Sequence, residues 1–547
     1  MMRRIAGIGL AVAAAAVVLE PVALAAPATP MEVRGWILAD PDAGYCARAI
    51  RLAPKYGINQ VQISHGIAHY ADDVIAEPKK AQLVRDLCKL AHINGLEALL
   101  WTHELQRVPD TLKSGGLVRY DDEALWRWLS EKYTRFFEAC PEADGIVLSL
   151  HETSDPVYDN TKIDSASPRA ERVRKLVDEM QKICERDGKT LYVRTFAYQP
   201  KELAWLVEGL RDADKRVRVM SKCVPHDWQP AYPHNPAIGA FHDRVHIVEF
   251  DLGQEYYGSN LLPFDESGYM QMRLRYAASR GCKGAAARID RGDRNCLGTV
   301  NEFNMAAFSE LVKNPDADLG AFWERYAAET YGAEAGPHVT RALRRTFDIV
   351  TGMYLCFGYS FLSDHTQLPD HGYSQWILHF HSNAKWDAKA AVDHIRLLAP
   401  DGVIIAQAMA EKEEAAALLA LSMADLERAR PHLSEKNAEV LFESFERLER
   451  CLSIWTATLD CYLWQKVFAG YPTENHRGIV QEKVEALRAV ADEVEAAIGA
   501  DSYPDSAKRA REFAGQVETS ANELLPFVQP IETPEETPEE VPVEVTD

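Results

Sequence analysis

The stretch LYVRTFAYQPKELAWLVEGLRDADKRVRVMSK (191–222) decides the fold. Its two ends, LYVRTF (191–196) and VRVMSK (217–222), are short apolar and β-branched runs, and the segment between them is an amphipathic stretch of helical length. That pattern is a βαβ unit, and the same alternation extends both ways, from Glu32 to about Leu311. Working outward, the other strand candidates are VRGWIL (33–38), NQVQIS (59–64), EALLW (97–101), GIVLSL (145–150), VHIVEF (245–250) and GAAARI (284–289). Eight strands with intervening helices in about 280 residues fit a closed (β/α)8 barrel of the TIM type better than an open sheet. The runs are nearly continuous in apolar content, as strands covered on both faces should be.

Beyond about Asp316 the sequence turns helical, with long segments near 403–428, 434–469, 477–499 and 505–525. In the second of these, Leu441, Phe445, Leu448, Leu452, Trp455, Leu459 and Leu463 recur at steps of three and four. They form one core-facing stripe that starts behind a Ser434 cap and ends at Gly470. The expected architecture is therefore an α/β class chain, a TIM barrel followed by an α-helical C-terminal domain. Its expected divisions are a signal peptide (1–25), a catalytic barrel (31–315), a helical domain (316–525) and a disordered acidic Pro/Glu/Thr tail (526–547).

The leader reading rests on Arg3 and Arg4, an apolar run from Ile5 to Leu19 and the small-residue site Ala23-Leu24-Ala25. It implies a secreted or periplasmic protein. The apolar run is shorter than the ~20 residues of a membrane-spanning helix, so no membrane partner is expected. A net charge of −22 argues against nucleic acid. The ten cysteines are scattered, with no CxxC, and read as small buried hydrophobes, although export permits a disulfide such as Cys282 to Cys296. Oligomeric state is not legible.

Residues just after each barrel strand line the face where such folds place their chemistry. The acids there are Glu104, Glu152, Asp155, Asp227, Glu249, Glu255, Asp290 and Asp293. Any one of them alone is more simply a cap, a turn residue or a solvated charge. As a set, the acids after strands 4, 6 and 7 come with Trp228, Tyr256 and Tyr257 beside them. Glycosidic cleavage needs that combination of two opposed carboxyl groups and flat faces for sugar rings. The connection from Cys223 to Arg244 is rich in His, Asp, Trp and Tyr and should roof the pocket, and Tyr354 to Trp386 should reach over the mouth. The pairs His65/His69 and His379/His381 lack the HExxH form and read as structural or substrate-binding, so no metal and no cofactor are expected. There is no P-loop, no GxGxxG after a strand and no GxSxG elbow.

Several of these motifs resemble glycoside hydrolase family 67, the α-glucuronidases that remove glucuronic or 4-O-methylglucuronic acid from xylan fragments. VEFDLGQEYYG (248–258) is similar to that family's strand-7 signature, and MSKCVPHDWQ (220–229) to its strand-6 run. LYVRTFAY (191–198), APKYGINQVQIS (53–64) and NEFNMAAFSELVKNPDADLGAFWERY (301–326) are looser matches, and together the likeness covers about 30–360. Two features depart from the family. Strand 1 follows the leader almost directly, without the family's β-rich N-terminal domain, and the run around the acid reads Leu150-His151-Glu152-Thr153-Ser154. The resemblance implies catalytic Glu152, Asp227 and Glu255, the first as general acid and the other two as the pair that activates water. It also implies Arg194 and Lys222 as ligands of the substrate's carboxylate. Trp228, Glu104, His103 and Tyr256 are the further substrate-binding candidates.

The expected activity is hydrolysis of a uronic-acid-bearing glycosidic bond with inversion, in polysaccharide degradation. Protonated Glu152 would give its proton to the leaving oxygen while Asp227 or Glu255 takes one from water. For that, Glu152 must bind its proton more tightly than an ordinary carboxyl of pKa about 4.3. The competing readings are a glycosidase with another sugar specificity, a metal-dependent barrel hydrolase using His103, Glu104, His226 and Asp227, and an inactive polysaccharide-binding protein.

Overall fold

The computed structural model describes residues 30–292, 294–361, 366–372, 385–386 and 396–528. The leader, Asp293, the His379/His381 pair and all of the acidic tail beyond Val528 lie outside the described residues.

Eight parallel strands close into a barrel: β1 (Val33–Leu38), β2 (Gln60–Ile63), β3 (Glu97–His103), β4 (Gly145–Ser149), β5 (Thr190–Arg194), β6 (Arg218–Lys222), β7 (His246–Asp251) and β8 (Gly284–Arg288). Each pairs with its neighbours in sequence, and β1 closes the ring on β8. Closure is tight at that seam. A Cβ on Gly284 would lie 2.5 Å from both the Cβ and the carbonyl oxygen of Val33, so only glycine fits. All eight expected strands are present, with β3 running on to His103 and β5 stopping at Arg194.

The stretch 191–222 folds as the expected strand, helix and strand. The helix Pro200–Asp212 starts with Pro200 in its first turn and a reciprocal capping box between Gln199 and Glu202. One connection departs from the βα pattern: among the described residues no helix lies between β6 and β7, and the chain from 223 to 245 folds over the mouth with Trp228 and Tyr232 buried.

Period-2 alternation sorts the strand residues into two sets. Ile37, Leu99, Trp101, Val147, Tyr192, Met220, Ile247 and Ala286 point inward and plug the barrel, none more than 2% exposed. Below the plug a polar chain runs from Glu97 through Gln60 to Tyr192 and Arg218. One inward step above it, at the C-terminal mouth, stand His103, Arg194, Lys222, Glu249 and Arg288.

The C-terminal helical region runs from Leu319–Tyr331 to Ala507–Glu523. Its long helix Glu435–Gly470 is capped by the Ser434 hydroxyl, and all seven expected stripe residues are buried. Trp455 donates through Nε1 to the Phe361 carbonyl at 3.0 Å and meets Tyr354 edge-on. All ten cysteines are buried and free, so Cys282 and Cys296 are not bridged. No helix of the described residues is long and apolar enough to cross a membrane.

Candidate active site at the barrel mouth

The strand ends bring the candidate residues to the mouth on two walls and a floor. On the β6–β7 wall, the Asp227 carboxylate is clamped from both sides. Lys222 Nζ donates to Oδ1 at 3.0 Å, and the Tyr256 hydroxyl donates to Oδ2 at 3.2 Å. Glu255, one residue before Tyr256, is held by Arg288 and, at 2.9 Å, by Arg291. Its N–H donates to Asp251 Oδ2 at 2.9 Å, and Asp251 in turn pairs with Arg288. Tyr256 thus ties the loop carrying Glu255 to the carboxylate of Asp227. Trp228 lies flat beneath two cations, with Lys222 Nζ 4.5 Å and the Arg288 guanidinium 5.5 Å from its ring centre.

After β4, two strands before β6 in the ring, Glu152 takes a left-handed backbone conformation (φ +55°), with its side chain 37% exposed. The Tyr198 hydroxyl donates to its Oε1 at 3.4 Å, and His103 Nε2 stands 3.8 Å from its Oε2. Burial alone would raise the pKa of this carboxyl. The opposing pull of His103 and of the Arg194 and Lys222 charges is larger, and the net effect holds Glu152 well below the usual carboxylate range. This corrects the expectation of a protonated Glu152: without substrate it is an anion facing cations.

The floor is a buried fork-to-fork pair. Arg194 donates through Nε and Nη2 to both oxygens of Glu249, at 2.6 and 2.8 Å, between the rings of Trp101 and Phe196. Arg194 and Lys222 were expected to grip a substrate carboxylate, and each already holds a protein carboxylate.

Three further acids are engaged within the protein itself. Glu104 does not face the mouth. Trp101 and His103 point inward, so the next residue points outward, where Lys132 Nζ and the Tyr133 hydroxyl each lie 2.7 Å from its Oε1. It is fully buried there, between the barrel and the helix Glu123–Ala139, which removes both its substrate-binding role and the metal set built on it. Asp155 is likewise taken up, by Lys113 at 2.9 Å. Asp290 is buried against the Ala39 N–H, and burial raises its pKa well above the ordinary value.

Sequence reasoning passed over Arg288, Arg291 and Tyr198 by scanning the strand ends for acids, and it weighed His65 only with His69, and His103 only with Glu104, His226 and Asp227, not the donor set that assembles among the described residues. His65, after β2, places a ring nitrogen near one of His103 and a carboxylate oxygen of Glu152, so that the three donor atoms lie within 4.8 Å of one another, a set that could hold a metal ion. Burial first, and then the neighbouring histidines, keep His65 far below the ordinary histidine pKa. His69 is lowered to about 4 by burial and His103.

No family model and no curated relative matches the chain. Among solved structures the fold is similar to that of a glycoside hydrolase of family 138 that targets pectin rhamnogalacturonan II, with 14% identity and a TM-score of 0.55 over 85% of this chain. The chain spans 63% of that enzyme's length. Two weaker likenesses are a family-115 4-O-methyl-α-glucuronidase specific for decorated arabinogalactans (11% identity, TM-score 0.48, 89% of this chain and 62% of that one) and a Thermobaculum terrenum O-GlcNAc hydrolase (14%, 0.46, 90% and 96%). At these identities the likeness is one of fold.

Proposed function

We propose that the protein is an exported glycoside hydrolase that cleaves a bond to a uronic-acid sugar with inversion. The observation that carries the reading is the gathering of three carboxyl groups at the mouth: Glu152 feels the charge of Lys222, which also holds Asp227, and Tyr256 ties Asp227 to the loop of Glu255, itself held by Arg288 and Arg291. Two carboxyl groups across a cleft, with aromatic faces beside them, are the equipment of glycosidic cleavage. The family-67 resemblance of the strand-6 and strand-7 motifs and the barrel shared with a pectin-targeting enzyme support it.

The roles follow from the charges. Glu152 must be protonated to release the leaving group, yet in the empty site His103, Arg194 and Lys222 favour its anion. A sugar carboxylate entering the mouth competes for the charges of Arg194 and Lys222 and so raises the affinity of Glu152 for a proton. The substrate's own charge then prepares the acid that cleaves it, and a neutral sugar lacks this help. Lys222, with two hydrogens beyond its Asp227 bond, and the Nη1 edge of Arg194 are the groups that would meet the uronate. On the far wall Asp227 and Glu255 orient a water for attack on the opposite face of the sugar.

The test is a panel of uronic-acid-bearing and neutral oligosaccharides, with the anomer of the first product read by NMR. Release of a uronic acid with inversion is expected. Activity on neutral or N-acetylated sugars only would overturn the specificity, and retention would overturn the single displacement. Retardation on a polysaccharide gel without any released sugar would mark a binding protein instead.

A further inference from the structure

The wall that carries Glu152 also gathers histidines that hydrolysis does not use. His65 follows β2 and His103 ends β3, so closure of the barrel sets both beside the residue that follows β4. The His103 side chain is fully buried, and its Nδ1 lies 3.3 Å from the carbonyl oxygen of His69. A carbonyl can only accept, so that contact places a hydrogen on Nδ1, and Nε2 is the nitrogen through which the neutral ring would bind an ion. Nε2 stands 3.8 Å from Glu152 Oε2, too far for a hydrogen bond, and has no hydrogen-bond partner. A buried, unpartnered ring nitrogen facing a carboxylate across a short gap, with a second imidazole alongside, is a set of ligand atoms that an ion would complete.

We propose that His65, His103 and Glu152 bind a divalent transition ion of the zinc class, and that the bound ion keeps Glu152 as a ligand and so switches hydrolysis off. The switching half rests on Glu152 being the general acid. A carboxylate whose oxygen is bonded to zinc cannot at once deliver a proton from it. Two imidazoles and one carboxylate suit a borderline ion; Mg²⁺ and Ca²⁺ prefer oxygen throughout. Zinc holds such donors at about 2.0–2.2 Å, so tetrahedral ligands sit roughly 3.4 Å apart. The present spacing, within 4.8 Å, closes to that with side-chain shifts on the order of 1 Å, which the partly exposed Glu152 can supply by rotation. His69, stacked on His103 with ring centres 4.6 Å apart, holds the plane of the buried ligand, and the open mouth leaves room for water as the fourth ligand.

The experiment uses the purified full-length protein, stripped with a chelator. Zn²⁺ is titrated by calorimetry, Co²⁺ by its visible absorption, and Mg²⁺ serves as the control. One equivalent of Zn²⁺ or Co²⁺ per chain is expected, with no response to Mg²⁺. His65→Ala should weaken Zn²⁺ binding at least tenfold; because removing the fully buried His103 ring would disturb folding, Glu152→Gln is the second probe and should do the same. Hydrolysis by the unaltered chain should fall in step with zinc occupancy and return on chelation, while zinc should no longer lower the rate of His65→Ala. Absence of stoichiometric binding, or binding that neither variant weakens, overturns the site. A rate raised by zinc overturns the switch. If no glycoside is hydrolysed at all, the hydrolase reading and the switch fall together, and the cobalt spectrum still decides the site.

Discussion

Replacing Glu104 by Gln should weaken the fold without touching the chemistry. Glu104 and Lys132 are 0% and 1% exposed, and removing one member of a buried pair typically costs about 3–5 kcal/mol, because the other charge stays behind. Here the loss should sit near the lower end, about 3 kcal/mol. The amide keeps an oxygen for the Tyr133 hydroxyl, and Lys132 keeps Asp72 at 2.7 Å. Adding Lys132→Met should return part of that loss, since it removes the buried ammonium that Glu104→Gln leaves short of a charge, while Asp72, 20% exposed, can turn to water. The assay is urea unfolding of the two single variants and the double variant, followed by tryptophan fluorescence, with kcat measured well below the transition. An unfolding midpoint that does not move, together with a collapse of kcat, would refute the outward orientation of Glu104 and return it to the mouth.

Glu152→Gln should lower kcat by about 10²–10⁴-fold on glycosides with poor leaving groups and far less on an acidic aryl glycoside; equal losses on both would remove it as the general acid. Arg194→Met leaves Glu249 buried without its fork, so it should cost about 3–5 kcal/mol of stability, read by denaturant unfolding, as well as raising KM for uronates; a KM effect with full stability would mean that Glu249 finds another partner. The Glu152 pKa is depressed in the folded protein, so its ionised form adds stability above the unfolded value near pH 4, and that stability is lost as pH falls. Acid unfolding of Glu152→Gln should accordingly show a shallower pH dependence, and a slope as steep as the parent's would place no depressed carboxyl there. Gly284→Val should prevent closure of β8 on β1, and soluble, cooperatively melting protein would contradict the seam.

The barrel was legible because each strand is covered on both faces and each helix on one, so apolar content alone separates the two periods. The long C-terminal stripe from Leu441 to Leu463 was legible for the same reason. What sequence could not supply was the phase at strand ends. Glu104 and His103 are neighbours with opposite destinations, and only the alternation counted from a plug residue such as Trp101 tells them apart. Nor could it supply pairings across the ring. Arg194 and Glu249 meet through closure of the barrel, across 55 positions of chain, and the charge state of Glu152 depends on His103 and on Arg194 and Lys222 from other strands. The missing helix between β6 and β7 had a visible trace in the crowd of aromatic, His and Pro residues between Cys223 and Arg244.

The two loops that carry Asp227 and Glu255 are also hung from the chain that follows the barrel. The Ser360 hydroxyl donates to the Gln229 side chain, Thr366 donates to the Glu255 carbonyl at 2.8 Å and accepts from the Gly258 N–H, and Tyr503 meets Ser259 at 3.0 Å. That side of the mouth is therefore shared property, with its lower edge belonging to the barrel and its upper edge to the chain that follows it. On heating, the helices need only shift by a hydrogen bond's length for both carboxylates to lose their aim together. Inactivation should then run ahead of the loss of barrel structure, and its temperature should respond to substitutions in the helical region that touch nothing in the cleft.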